Sequence, residues 1–192
     1  MNAILESSPM IDLFRSRAEA VGAKVEHVHS KAEALELVVR LLQQEGVEDK
    51  PQGHAVWASS AILGTEDKAK LANAVPGLEF NVTRENAAAA KVGISQMDWA
   101  LADTGTLVQA ADAVDKRLVS TLPLLHIALI SAAAVLPNLP AVLDRVHPDK
   151  AAYLAFVTGP SRTSDIERVL TIGVHGPERL IAILVDGLEV EA

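Results

Sequence analysis

The chain has 192 residues, 17 basic against 25 acidic, for a net charge of -8, and it is 49% hydrophobic but only 3% aromatic. That length buries a sizeable core, which Ala, Val, Leu and Ile must pack, and the acidic balance argues against long-range capture of nucleic acid or an anionic membrane. With no cysteine there is no disulfide, thiolate nucleophile, cysteinyl iron–sulfur cluster or cysteine zinc site in the chain.

The opening MNAILESSPMIDLF carries Glu6 and Asp12 with no basic segment leading into an apolar core, so no secretion signal is expected. The longest uncharged window, Leu118 to Leu143, is interrupted by Pro123, Pro137 and Pro140, and its apolar stretch is too short for a bilayer. A cytoplasmic protein is expected. Residues 11–21 predict a helix, so that a helix of roughly residues 9–22 packs onto the rest of one domain spanning the chain. Lys24 to His29 predicts a strand, and Lys31 to Gln44 a helix with Ala34, Val38, Leu41 and Leu42 at helical spacing behind a Ser30 cap.

His54 to Trp57 and Leu78 to Val82 read as strands, with a helix between them capped by Thr65. Thr83 or Asn86 caps an alanine-rich helix expected to run to Val92 and end at Gly93. Gly93 to Ala110 reads as strand, tight turn at Thr104 to Thr106, and strand; the charges between Asp112 and Arg117 read as an exposed turn. The continuous apolar run Leu124 to Ser131 fits a strand covered on both faces. A helix over Pro137 to Val146, a strand over Tyr153 to Thr158, a short helix after Gly159 and a last core strand over Leu180 to Val185 complete the chain. Alternating strands and helices predict a layered α/β fold, a mostly parallel central sheet flanked by helices.

Two segments carry candidate chemistry. Gly159-Pro160-Ser161-Arg162-Thr163-Ser164-Asp165 places a glycine turn, hydroxyls and a guanidinium between a strand and a predicted helix. Free N–H groups at such a helix start bind anions, and Arg162 can hold a small carboxylate or phosphate through two parallel donors. The competing structural reading has Ser161 or Ser164 capping the helix and Arg162 pairing with Asp165 or Glu167. Open α/β sheets bind ligands beyond the carboxyl ends of their strands, and that position favours a site built on Gly159, Ser161, Arg162 and Thr163.

The second segment is Asp103-Thr104-Gly105-Thr106. Gly105 permits a tight turn, the hydroxyls of Thr104 and Thr106 can hold a ligand, and Asp103, if buried, needs a partner such as Arg162. An aspartate-led turn is the structural alternative. His175, between Gly173 and Pro177, can take a proton near neutral pH, although no Ser-His-Asp set can be assigned. His27 and His29 share a strand face, but no carboxylate or third histidine stands at a recognisable spacing, so no metal site is expected. No dinucleotide or phosphate-loop motif is present.

GISQMDWALADTGTLV (Gly93 to Val108), LPLLHIAL (Leu122 to Leu129) and TGPSRTSDIERVLTIGVHGPERLIAILVD (Thr158 to Asp186) resemble the LUD-domain family, with weaker similarity from Val21 through Leu42. The resemblance implies a fold of the NagB/RpiA/CoA transferase-like class. It also implies a part in oxidising L-lactate to pyruvate beside two iron–sulfur partner proteins, with the clusters in the partners and no intrinsic cofactor here. Family members commonly carry glutamate where this chain has Asp103, so the carboxylate here is one methylene shorter.

Three functions are therefore expected, in this order: a small-anion-binding or assembly component of lactate oxidation; an independent transferase or isomerase acting on a phosphorylated or coenzyme A-linked substrate, with Asp103 as base or nucleophile; and a noncatalytic scaffold. The sequence leaves monomer and homo-oligomer both open.

Overall fold

The computed structural model describes residues 8–146, 151–164, 170–173 and 175–188. Helix α1 (Pro9–Ala20) starts on a proline, whose missing N–H costs nothing in a first turn, and turns Ile11, Phe14 and Ala18 inward. Strand β1 (Lys24–Val28) leads into α2 (Lys31–Gln44), where the Ser30 hydroxyl accepts from Glu33 N–H at 3.2 Å and Ala34, Val38, Leu41 and Leu42 form the buried stripe. Then follow β2 (Ala55–Trp57), α3 (Thr65–Ala74), β3 (Leu78–Glu79) and α4 (Arg84–Ala89), the last capped by Thr83.

Strands β4 (Val92–Gln96), β5 (Trp99–Leu101) and β6 (Thr106–Ala110) precede α5 (Val114–Thr121) and β7 (Leu125–Ser131). A 3-10 turn leads to β8 (Val135–Leu136) and α6 (Leu139–Leu143), with Pro140 in the first helical turn. The described chain finishes with β9 (Leu154–Val157), β10 (Arg162–Ser164), β11 (Leu170–Ile172) and β12 (Arg179–Val185).

Six strands pair in the order β1-β12-β7-β4-β2-β3, every pair parallel. The expected α/β class and parallel central sheet are therefore present. All seven residues of β7 are buried, as an inner strand covered on both faces requires. Side chains alternate across the sheet. Leu125, Ile127 and Leu129 pack with Ile181 and Ile183 toward the buried stripe of α2, while Ala128, Ile130, Ala182 and Leu184 pack toward Phe14 of α1 and Leu107 of β6.

That second face also carries a four-stranded sheet, β8-β5-β6-β9, antiparallel except for β5 with β8. The predicted strand over Tyr153 to Thr158 exists, but it lies in this smaller sheet against β6. Four other expectations change. Gly93 ends no helix: it sits inside β4, where an added Cβ would meet Val119 O at 2.0 Å, so its bare Cα is what lets α5 lie against the sheet. The charge cluster from Asp112 leads into α5, whose first half carries Asp115, Lys116 and Arg117 ahead of buried Val119. Helix α3 is capped at Gly64, whose N–H donates to Asp67 Oδ2 at 2.9 Å, so Thr65 is its first residue. Finally, the segment after Gly159 runs into a strand pair, β10 antiparallel to β11.

At the centre of the sheet His126 is fully buried, with Nε2 2.8 Å from Ser95 Oγ, which donates in turn to Met97 Sδ. That chain assigns the proton to Nε2 and leaves Nδ1 bare among the described residues. Burial pulls the imidazole down from its ordinary 6.5 to about 4. Between those values the unfolded chain binds the extra proton, so stability falls as the pH drops through the window. A wild type losing about 3 kcal/mol more than His126→Gln between about pH 7 and about pH 4 is expected in urea titrations. Parallel pH curves for the two proteins would contradict a neutral buried His126.

Candidate functional site

The acidic turn joins β5 to β6. Asp103 and Thr104 are exposed, while Gly105 and Thr106 are buried, and Asp103 N–H donates to Pro137 O at 3.2 Å. Gly105 has φ +67°, and a Cβ there would stand 2.3 Å from Ala18 N, so the turn fits against the end of α1 only with glycine. The Gly159 turn reaches the same helix end: Cβ at that position would meet Val21 O at 2.6 Å. Because β6 starts where antiparallel β9 ends, Thr106 Oγ1 and Thr158 Oγ1 come within 2.8 Å. The two candidate segments are thus neighbours at one end of the smaller sheet.

Arg162 and Asp103 nevertheless form no ion pair; both side chains are exposed, and none of the ion pairs among the described residues includes either. Arg162 stands on β10 opposite Ile172, with half-buried Thr163 next to it opposite Thr171. Asp165, Ile166 and Glu167 lie outside the described residues. Half-buried Ser161 anchors the hairpin: its N–H donates to Pro177 O at 2.9 Å and its carbonyl accepts from Gly173 N–H at 3.0 Å. Exposed His175 therefore sits on the loop tied to the base of that hairpin.

The position of this cluster on the central sheet differs from the expectation. Pro160 packs 3.6 Å from the Cβ position of Gly22, just before β1, and Ser161 bonds to Pro177, just before β12. Gly159, Ser161 and Arg162 are consequently beside the amino ends of the central strands. The carboxyl ends hold other groups.

There the loop after β2 is pinned by Ser59 N–H to Asp115 Oδ2 at 2.8 Å and Ile62 N–H to Gln96 Oε1 at 3.0 Å. Burial resists ionisation of Asp115, but the hydrogen bonds from Ser59 and Lys116 outweigh it and hold the carboxyl below its ordinary value. At the ends of β1 and β12, His27 Nε2 and His29 Nδ1 lie 2.9 and 3.0 Å from the two oxygens of Asp186. Burial likewise opposes the Asp186 charge, and the bonds to both imidazoles reverse the balance, lowering its pKa.

Asp186 supplies the carboxylate that sequence spacing could not find. The signal was parallel pairing of the first and last strands, which sets Val28 against Val185 and brings the next residue of each beside the other. A surface groove of about 850 Å³ along α2 and α3 contains none of the candidate residues; Lys31 and Asp67, 2.7 Å apart, stand on its lining.

A family profile for the LUD domain matches residues 11–185. The chain belongs to the LUD-domain family. Its relatives include lactate utilization protein C of Bacillus subtilis (strain 168), 34% identical over 140 residues that cover 70% of this chain and 52% of that protein. Lactate utilization protein C of Geobacillus sp. (strain WCH70) is 31% identical, covering 77% of this chain and 56% of the relative. Lactate utilization protein C 1 of Bacillus mycoides (strain KBAB4) is 39% identical over 52% of this chain and 45% of the relative. The chain spans about half the length of the first relatives it matches. A crystal structure of a DUF162 family protein from Deinococcus radiodurans superposes with TM-score 0.64 at 19% identity, covering 94% of this chain and 99% of that one, which shows the shared fold.

The hydroxyl pair that joins the two LUD-domain segments has an asymmetric energy. Thr106 is buried and Thr158 exposed. Thr158→Val strands a buried hydroxyl and is expected to cost about 1–3 kcal/mol, whereas Thr106→Val frees an exposed hydroxyl that water satisfies and is expected to cost less than about 1 kcal/mol. Denaturant midpoints of the two variants check the order, and equal costs would refute the account.

Proposed function

We propose that the protein is a component of L-lactate utilization that supports oxidation of L-lactate to pyruvate by binding a small anion, with electron transfer carried by two iron–sulfur partner proteins. The names of its LUD-domain relatives support the pathway. The absence of cysteine supports the division of labour, since thiolate-held clusters need ligands this chain lacks. No helix among the described residues is long and apolar enough to cross a membrane, in keeping with work in the cytoplasm.

The observation that carries the anion role is Arg162. Its guanidinium is exposed on a strand whose base is fixed by the two main-chain bonds of Ser161. A planar fork takes a carboxylate through two parallel bonds and loses less freedom per hydrogen bond than a rotatable ammonium would. Ser161 and Thr163 adjoin it in the chain, Thr163 on the other face of the strand; the Thr106 and Thr158 pair lies at the end of the adjoining sheet, and His175 adds a group that can carry a proton.

Reconstitution with the iron–sulfur partners tests this reading. Arg162→Ala is expected to weaken L-lactate or pyruvate binding about 10- to 100-fold, the loss of charge-assisted hydrogen bonds worth about 1.5–3 kcal/mol, and to slow pyruvate formation while the complex mass stays unchanged. Full lactate affinity and turnover in the variant would remove the anion role. Loss of the assembly itself would make the protein a scaffold.

A further inference from the structure

We infer that His27, His29 and Asp186 form a binding site for one divalent transition-metal ion at the carboxyl ends of β1 and β12. The three residues offer two imidazole nitrogens and a carboxylate oxygen, all within 4.8 Å of one another. His27 lies in β1 and His29 just past its end, and both rings turn to the Asp186 carboxylate. The parallel register of β1 with β12 then delivers Asp186 from 159 positions away to meet them.

The backbone holds this arrangement before any ion arrives. Asp186 N–H donates to Val28 O at 3.0 Å, and Ser131 Oγ donates to Leu188 O at 2.7 Å, clamping the chain on both sides of the Asp186 turn. His29 N–H donates to Glu33 Oε2 at 2.9 Å, which fixes the other strand end to the first turn of α2. Only side-chain rotation remains to be ordered.

The spacing suits a small ion. Ligand atoms each about 2.0–2.1 Å from a tetrahedral centre stand about 3.3 Å apart, a few tenths of an ångström beyond the 2.9 and 3.0 Å nitrogen–oxygen separations here. The donor set selects the class: imidazole with one carboxylate suits zinc, cobalt, nickel or ferrous ions, whereas calcium and magnesium prefer an all-oxygen shell. His27 is 16% exposed, Asp186 36% and His29 59%, so the ligands are backed by protein on one side and open on the other. Three protein ligands on an open face leave coordination positions for water or another small oxygen donor. This site is separate from Arg162, which lies by the amino ends of the same sheet.

Cobalt(II) titration of the purified protein, followed by calorimetry and by visible absorption, tests the inference. One equivalent is expected to bind with a spectrum of nitrogen and oxygen ligation, the ring N–H that faces Asp186 moving to the other nitrogen of each imidazole as hydrogen bonds give way to metal bonds. His29→Ala and Asp186→Asn, each confirmed folded by circular dichroism, are each expected to lower affinity at least as much as the about 10- to 100-fold seen for loss of outer-shell partners. Arg162→Ala is expected to leave it unchanged. Stoichiometric binding that survives both ligand substitutions would place the ion elsewhere and overturn the site, as would failure of the folded wild type to bind cobalt or zinc. Metal-dependent broadening of the His27 and His29 ring resonances in the wild type is the direct positive result.

Discussion

The fold turns on the pairing of its first strand with its last. Five residues of β1 lie parallel to β12, and β12 in turn lies parallel to the fully buried β7. Such a contact joins opposite ends of the chain, so its loop-closure entropy must be met by burial on both faces of the sheet. The aliphatic composition provides that burial: Ile181, Ile183 and Val185 serve one face while Leu180, Ala182 and Leu184 serve the other. Helix α1 follows from the same pairing, because β1 carries it to where Phe14 can close the second face.

Regular elements with a strong period were legible before the structure. Helix α2 has a clean apolar stripe and a hydroxyl cap, and β7 and β12, seven residues each and mostly apolar, have the composition of strands buried on both faces. What sequence could not show was assignment to sheets. Tyr153 to Thr158 has the same local character as a core strand, yet β9 pairs antiparallel with β6, since partner choice depends on tertiary contacts and local propensity carries no trace of them. Gly93 misled in the same way. A glycine after an alanine run reads as a helix stop, but here it marks close approach of α5 to a strand.

The candidate site was legible in parts. Asp103-Thr104-Gly105-Thr106 and Gly159 to Thr163 were recognisable as turns with polar side chains, and both come to the end of α1 because each contains a glycine that tolerates its backbone. Whether Asp103 and Arg162 pair was not legible, since that depends on side-chain reach, and none of the ion pairs among the described residues includes either. Nor could sequence tell amino from carboxyl ends of the sheet. That distinction required knowing that β9 leaves the central sheet and that Ser161 returns to Pro177 just before β12 begins.

The two ends of the sheet now set a limit on any mechanism that combines their groups. Strand β12 runs seven residues from Arg179 to Val185, a span of about 20 Å at about 3.3 Å per residue. An anion held at Arg162 by one end cannot also be a ligand of an ion held by Asp186 at the other. A small 2-hydroxy acid is far shorter than that gap. Chemistry at the histidine pair would therefore have its own ligand. The anion site proposed on the guanidinium hairpin lies at the opposite end, so the two proposed sites are separable by substitution within one folded protein.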